Sequence, residues 1–184
     1  MARIRLDRLS VLLLDDNRNM LKLMQEILRA LGIRNVICAT DAAEAFREMR
    51  IAAIDLVIVD WEMTPLSGIE FVKLIRTAKD SPNVFVPVIM LTAHTQLTHV
   101  VEARDVGANE FLAKPVSPKS VYRRILAVLD RPRKFVRTKS YFGPDRRRRN
   151  LPFKGPPKRQ DDAPAAPSED SGLTEGEIER LLQG

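Results

Sequence analysis

The chain has 184 residues, of which 45% are hydrophobic and 29% charged, and this length is sufficient for one globular domain and a further segment. Its single cysteine, Cys38, excludes an intrachain disulfide and is typical of a reducing compartment. No stretch approaches the ~18 apolar residues of a membrane span. The apolar run at 11–14 ends in two aspartates, unlike a signal peptide. We therefore expect a cytoplasmic protein without a membrane span.

Charge is distributed unevenly along the chain, although the net charge is only +6. Residues 1–130 carry 17 Lys and Arg against 16 Asp and Glu, so this part is almost neutral. Residues 131–160 carry 12 basic residues and one acidic residue, and residues 161–184 carry one basic residue and seven acidic ones. A nearly neutral body is thus followed by a basic segment and an acidic tail. Such blocks are typically solvated and often contact charged partners.

Short apolar runs alternate with helical patterns over the first 130 residues. The predicted strands are 11–14, 36–38, 56–59, 88–91 and 110–113. Helical patterns follow them at 20–31, 42–49, 69–75, 96–104 and 118–129. Five strand–helix units in alternation predict an α/β fold with a doubly wound parallel sheet. In such folds ligands bind beyond the carboxyl ends of the strands.

Polar side chains stand directly after four of the predicted strands. Asp15 and Asp16 follow the first strand, Asp60 the third, Thr92 the fourth and Lys114 the fifth. Three carboxylates at one edge repel each other unless a hard cation joins them, and Mg²⁺ prefers such oxygen ligands. A carboxylate such as Asp60 can attack phosphorus and form an acyl phosphate. Lys114 and the Thr92 hydroxyl would then bind phosphoryl oxygens.

Residues 9–130 resemble the receiver domain of two-component response regulators, in particular the chemotaxis regulators. The matching motifs are Asp15-Asp16, Val59-Asp60 followed by Pro65 and Gly68, Leu91-Thr92-Ala93, and 107–115. The resemblance implies a five-stranded, flavodoxin-like fold and a Mg²⁺ cofactor. It also implies phosphotransfer from a histidine kinase or phosphotransfer protein to Asp60. Self-phosphorylation and slow self-hydrolysis would be the only chemistry, and signalling would proceed through protein–protein contacts.

The same resemblance implies further roles around the acceptor. The Glu62 backbone carbonyl would join the magnesium shell, and Phe111 would be the switch aromatic. The Lys114–Pro115 bond would be a cis peptide, which the tertiary amide makes feasible. The side chains of Glu62 and His94 would border the path of the attacking water and tune the lifetime of the phosphoryl group. For His94, a solvated loop histidine is the simpler interpretation.

We expect residues 131–172 to be largely disordered, because they lack hydrophobic periodicity and are rich in charged residues, Pro, Gly and Ala. The segment contains an imperfect repeat of the type FGPDRR, at 142–147 and again at 153–159. Its cations Arg146, Arg147, Arg148 and Arg149 are candidates for binding nucleic acid, acidic lipid headgroups or an acidic protein. A solvated linker is the alternative interpretation.

Residues 173–184 form a short amphipathic peptide, with Thr174 and Glu177 in a capping-box pattern. Its apolar residues are Leu173, Ile178, Leu181 and Leu182. The peptide is similar to the N-terminal peptide of the flagellar motor switch protein, to which phosphorylated chemotaxis receivers bind. This similarity predicts docking on a receiver face and a motility-related target. A frayed terminal helix is the simpler interpretation.

Three functions compete at this point. The first, which we favour, is a stand-alone phosphoacceptor that signals through protein contacts. The second is a transcriptional or nucleic-acid-associated regulator that uses the basic segment 131–160, although no DNA-reading module is present. The third is a phosphatase, because residues 60–64 are superficially similar to the DxDxT motif of haloacid dehalogenases. Against it, Glu62 replaces the second aspartate, and the acidic pair precedes the nucleophile instead of following it.

Overall fold

The computed structural model describes residues 5–93, 104–130, 132–138 and 141–146. The strands are β1 (Ser10–Leu14), β2 (Asn35–Ala39), β3 (Leu56–Asp60), β4 (Val88–Thr92), β5 (Glu110–Ala113), β6 (Phe135–Arg137) and β7 (Phe142–Pro144). The helices are α1 (Arg18–Ala30), α2 (Ala42–Ile51), α3 (Gly68–Thr77) and α4 (Pro118–Leu129), and a 3-10 turn spans Leu6–Arg8. Most of the predicted helix at 96–104 lies outside the described residues. Within the described ranges, no helix is long and apolar enough to cross a bilayer.

The first five strands form one parallel sheet in the order β2-β1-β3-β4-β5. This confirms the predicted five-stranded, doubly wound fold of the flavodoxin-like type. The order reverses between β1 and β3, so their carboxyl ends border the crevice where such folds bind ligands. Every residue of β3 and of β4 is buried, as expected for central parallel strands.

Alternate residues of the strands enter two separate hydrophobic cores, one on each face of the sheet. Leu12 and Leu14 pack with residues of α2 and α3, among them the fully buried Phe71. Val11 and Leu13 pack with residues of α1 and α4. The period of two in the strands therefore covers both faces of the sheet with helices.

Side-chain hydrogen bonds to the backbone cap the α-helices, and α2 and α4 begin at the predicted residues 42 and 118. The Asp41 carboxylate accepts a hydrogen bond from the Glu44 backbone N–H at 2.8 Å and caps α2. Ser117 caps α4 in the same way. Ser67 and Glu70 form a capping box at the start of α3, directly after the loop that follows β3.

A short antiparallel hairpin follows the receiver-like body. Strands β6 and β7 pair with Phe135 opposite Pro144 and Arg137 opposite Phe142. The prediction that residues 131–172 are largely disordered is therefore wrong for the described residues 132–138 and 141–146. Each strand has only three residues, too few to show a hydrophobic period.

Aromatic packing against the body stabilises this hairpin. The rings of Phe135 and Phe142 lie 5.2 and 5.5 Å from that of Phe85, which precedes β4. The buried guanidinium of Arg76, in α3, lies 5.1 Å from the centroid of the Phe135 ring. The apolar partner of the hairpin is thus 50 residues away in sequence from Phe135, and the folded part of the chain continues beyond residue 130.

We predict that ending the chain after Asp130 lowers the free energy of unfolding, because Phe85 and Arg76 lose the rings that cover them. The loss should be roughly 2 kcal/mol, because Phe85, Phe135 and Phe142 are each partly buried and together remove about as much apolar surface from water as one fully buried aromatic side chain. Urea unfolding followed by circular dichroism measures it. A chain that ends after Arg146 is the matched control and should unfold like the full chain. Equal stability of all three chains would contradict the docking of the hairpin.

Candidate functional site

The sheet brings the polar residues that follow its strands to a common edge. Asp15 comes directly after β1, Asp60 and Thr92 are the last residues of β3 and β4, and Lys114 comes directly after β5. Thr92 lies opposite Ala113 in the ladder, and its carbonyl accepts a hydrogen bond from the Lys114 backbone N–H at 2.8 Å. The parallel register therefore places the carboxyl ends of β4 and β5 side by side.

Two buried carboxylates lie near one ammonium group. Lys114 Nζ is 2.8 Å from Asp60 Oδ1 and 3.7 Å from Asp15 Oδ2. Asp60 is 5% exposed and Asp15 only 2%, so water screens neither carboxylate well. The ion pair between Lys114 and Asp60 is the stronger of the two, because its distance is that of a charge-assisted hydrogen bond.

Burial raises the pKa of both carboxyl groups. For Asp60 desolvation is the main cause, and the hydrogen bond and charge of Lys114 oppose it. For Asp15 desolvation is again the main cause; the backbone N–H of Asn17 opposes it, and the negative charge of Asp60 adds to it. The edge is therefore short of positive charge when both groups are ionised.

One oxygen of Asp15 indicates where a further cation fits. Asp15 Oδ1 accepts a hydrogen bond from the Asn17 N–H at 2.8 Å, whereas Oδ2 is buried and has no hydrogen-bond partner among the described residues. The Lys114 ammonium, 3.7 Å away, compensates only part of the cost of burying this oxygen, and a closer cation would lower the cost further. The donor chemistry, carboxylate oxygens alone, fits Mg²⁺.

The carboxylate of Asp16, the second residue of the predicted acidic pair, bonds to the loop after β3. Its Oδ2 accepts hydrogen bonds from the Thr64 backbone N–H at 3.2 Å and from the Thr64 hydroxyl at 3.4 Å. Across the described ranges, no group of three or more His, Cys, Asp or Glu side chains is arranged to hold a metal ion. Asp16 is exposed and bonds to this loop, but its negative charge still reaches the other two carboxyl groups and helps to raise the pKa of each.

The loop after β3 folds back tightly over the end of the strand. The Gly68 N–H donates to the Trp61 carbonyl at 3.0 Å, and a Cβ added to Gly68 would lie 2.0 Å from the Asp60 carbonyl oxygen. Only glycine fits at this position. Asn17, Thr64 and the close approach of Gly68 are the features of the site that sequence reasoning missed. Of these three residues, only Gly68 was indicated by the sequence, because it belongs to one of the motifs that match receiver domains.

The other residues that the sequence analysis singled out differ in their exposure. Thr92 is buried at the edge, Glu62 is exposed, and Phe111 is partly buried against the core on the α2 and α3 face. The Lys114–Pro115 peptide bond is cis, as the resemblance implied, and the Thr64–Pro65 bond is also cis. His94 lies outside the described residues.

Arg146, the first arginine of the basic run at 146–149, contacts other residues of the chain. Arg146 Nη1 lies 3.0 Å from Asp105 Oδ1, and its guanidinium lies 4.5 Å from the centroid of the buried Tyr141 ring. These contacts reduce what Arg146 can offer to an anionic partner. Arg147, Arg148 and Arg149, the second repeat and the terminal peptide with Leu173, Ile178, Leu181 and Leu182 lie outside the described residues.

The doubly wound sheet and the acidic edge paired with a lysine define a receiver-type α/β domain. A family model described as "Response regulator receiver domain" matches residues 11–126, and the chain belongs to this family. The matched range ends before β6 begins.

The relatives agree with this assignment. The chain is 28% identical over 123 residues to chemotaxis protein CheY-3 of Vibrio cholerae, which covers 67% of this chain and 93% of the relative. The solved structure of Vibrio cholerae chemotaxis protein CheY4 aligns with a TM-score of 0.61 and 32% identity, over 66% of this chain and 98% of that one. The receiver domain of a Pseudomonas aeruginosa sensor histidine kinase aligns with a TM-score of 0.57 and 28% identity, over 64% of this chain and 94% of that one. That domain was solved with a magnesium ion coordinated in its active-site cleft.

We predict that Asp15→Asn raises the melting temperature at pH 7 in metal-free buffer. The pKa of Asp15 is raised in the folded chain, so its contribution to stability is greatest below the ordinary value of 3.8 and is lost as the pH rises through the folded pKa. The neutral amide removes this loss and still accepts the Asn17 hydrogen bond. The gain should therefore disappear as the pH falls to about 4. Thermal unfolding of both proteins across this range measures it, and a gain that does not change with pH would contradict the electrostatic cause.

We also predict that Gly68→Ala destabilises the fold by about 1–3 kcal/mol or more, because the methyl group would overlap the Asp60 carbonyl. Gly32→Ala is the matched control: Gly32 has a φ of 92°, but nothing lies within 4 Å of an added Cβ. Its cost should come from backbone conformation alone. Chemical unfolding, with Trp61 fluorescence as a local probe of the loop, compares the two variants. A perturbed Trp61 signal in Gly32→Ala alone would be inconsistent with the overlap.

Proposed function

We propose that Asp60 accepts a phosphoryl group from a histidine kinase or phosphotransfer protein, and that the phosphorylated chain signals through protein–protein contacts. The observation that carries this proposal is the buried Asp60 carboxylate, held 2.8 Å from Lys114 Nζ beside the buried carboxylate of Asp15, whose Oδ2 lies 3.7 Å from the same ammonium and has no hydrogen-bond partner among the described residues. The similarity to chemotaxis receivers supports it.

The transfer follows from the positions of these groups. An Asp60 carboxylate oxygen attacks phosphorus, the bond from phosphorus to the donor's imidazole nitrogen breaks, and that nitrogen keeps the electron pair and is protonated. Lys114 exchanges its Asp60 oxygen for a phosphoryl oxygen, and the Thr92 hydroxyl donates to another. Asp60 is a suitable nucleophile because β3 is buried throughout and hydrogen-bonded on both sides, which fixes its end.

A magnesium ion fits this edge of the sheet because, among the residues that the structure describes, the carboxylates there have only one nearby cationic group, the Lys114 ammonium. Asp15, Asp16, Asp60 and the Glu62 backbone carbonyl would hold it, and Asp16 would exchange its bonds to Thr64 for the metal. When bound, Mg²⁺ supplies positive charge that stabilises the phosphoryl oxygens. The magnesium-bound receiver of the sensor histidine kinase supports this assignment.

The proposal extends to readout and reversal. Phe111, on the edge strand β5 and packed against the core, would turn as the Thr92 hydroxyl moves to the phosphoryl group. Glu62 and His94 would tune the rate at which water removes the group. Slow self-hydrolysis would be the only turnover of the phosphorylated chain.

We predict that Asp60→Asn abolishes labelling by acetyl phosphate in the presence of Mg²⁺, because an amide cannot form the acyl phosphate. Intact-protein mass spectrometry measures the labelled fraction. Asp80→Asn is the matched control, because Asp80 is an exposed aspartate that pairs only with Arg50 in the described part of the chain. It should be labelled like the unaltered chain. Full labelling of Asp60→Asn would contradict the assignment of Asp60 as the phosphoacceptor.

The donor is tested by phosphotransfer profiling against the histidine kinases and phosphotransfer proteins of the source genome. One donor should label the chain much faster than the others, and this labelling should require Asp60. Transfer from none of them, in spite of labelling by acetyl phosphate, would contradict the two-component role.

A further inference from the structure

The β6–β7 hairpin contacts the amino-terminal ends of two particular strands, β4 and β5. Its aromatic residues pack on Phe85, three residues before β4 begins. Arg76, which lies beneath the Phe135 ring, donates to the Val84 carbonyl at 2.7 Å and to Asn109 Oδ1 at 3.3 Å. The hairpin therefore covers the residues that lead into both strands.

The buried carboxylate of Glu110, the first residue of β5, links the hairpin segment to the sheet. Arg133, two residues before β6, lies 2.7 Å from one Glu110 oxygen, and Arg124 of α4 lies 2.8 Å from the other. The Glu110 side chain is 9% exposed, so these contacts are poorly screened by water. The start of β5 is thus held between α4 and the hairpin segment.

The backbones of the hairpin and the body also touch directly. A Cβ added to Gly143 of β7 would lie 2.9 Å from the Gly107 Cα, and one added to Gly107 would lie 3.2 Å from the Phe142 carbonyl oxygen. Gly107 lies in the turn before β5 and has a φ of 99°. Close backbone contact leaves little freedom for the turn to move while the hairpin is docked.

The opposite ends of the same two strands carry Thr92 and Lys114. Strands of four or five residues are only about 13–17 Å long and rigid when buried and paired. The Asn109 N–H donates to the Val88 carbonyl at one end of the pair, and the Lys114 N–H donates to the Thr92 carbonyl at the other. A shift at the amino ends therefore changes the position of both phosphoryl-binding groups.

We propose that the β6–β7 hairpin is a positioning element for the phosphoryl site. Docked, it fixes β4 and β5 in the register that presents Thr92 and Lys114 to the phosphoryl group on Asp60. This inference rests on the proposed function and adds a role for a segment beyond the matched family range. If docking of the hairpin tightens the binding of a phosphoryl mimic at Asp60, then the bound mimic tightens the docking by the same factor, because coupling between two binding equilibria is reciprocal.

The first arm of the test uses Phe135→Ala, which removes the ring that Phe85, Phe142 and Arg76 contact. With Mg²⁺ and varied acetyl phosphate, the maximal labelling rate of the full chain should fall by about fivefold or more, because misplaced phosphoryl-binding groups slow the transfer. Phe135→Tyr keeps the ring and should restore the rate. Lys134→Ala, an exposed residue of the same segment, should leave the rate unchanged.

A purely structural role for the hairpin makes a different prediction. Ile27→Ala removes a buried side chain from α1, on the other face of the sheet from α2 and α3, and destabilises the fold without touching the hairpin. All variants are assayed at a temperature at which circular dichroism shows them folded. If the hairpin only stabilised the fold, folded Phe135→Ala would be labelled as fast as folded Ile27→Ala. If the hairpin positions the phosphoryl site, Phe135→Ala should be labelled more slowly than Ile27→Ala.

The second arm measures the reciprocal effect by hydrogen exchange in the full chain. The reporters are the Thr138 and Asp145 amides, which donate to the Tyr141 and Lys134 carbonyls within the hairpin. Mg²⁺ with beryllofluoride, a mimic of a carboxylate-bound phosphoryl group, should slow their exchange by about fivefold or more. Asp60→Asn should show no such change.

The outcomes separate the two proposals. No labelling of the unaltered chain overturns both. Labelling that requires Asp60, but proceeds equally fast in Phe135→Ala, overturns only the positioning role of the hairpin, as does unchanged exchange of its amides at saturating beryllofluoride. Slower labelling that Phe135→Tyr restores, together with slowed exchange, supports it.

Discussion

A single lysine ammonium lies between two buried carboxylates, and the other features of the site depend on this arrangement. Lys114 pairs closely with Asp60 and only distantly with Asp15, which keeps one buried oxygen without a hydrogen-bond partner among the described residues. Burial raises the pKa of both carboxyl groups, so ionising both is unfavourable without more positive charge. A divalent cation would relieve this shortage of positive charge, and the proposed transfer of an anionic phosphoryl group depends on such a cation.

The sheet makes this arrangement possible because it assembles residues that are far apart in sequence. Parallel strands all end at the same edge, and buried ladders on both sides of β3 fix the position of Asp60. The loop after β3 adds a second constraint, since Gly68 packs directly on the Asp60 carbonyl. Rigidity at the acceptor thus comes from the central strand and from a loop that accepts no side chain at one position.

The hairpin shows that the chain beyond the matched family range is part of the same folded unit up to residue 146. It contacts the amino ends of β4 and β5, while the groups proposed to bind phosphate stand at their carboxyl ends. Its contacts are aromatic, cationic and backbone contacts with residues far away in sequence. A segment that is basic and rich in Pro and Gly can therefore fold when another part of the chain supplies its core.

The sequence by itself determined the five strands of the sheet, four of its helices and the residues at the strand ends, because hydrophobic period and strand–helix alternation are local properties that leave few topologies open. Only the tertiary structure decided how the carboxylates are shared. Asp16 bonds to Thr64, 48 residues away, and Asp15 keeps a buried oxygen that has no hydrogen-bond partner among the described residues. Only the tertiary structure shows the hairpin, because contacts with Phe85, Arg76 and Glu110 stabilise it. A local sequence pattern does not indicate contacts between residues so far apart in the chain.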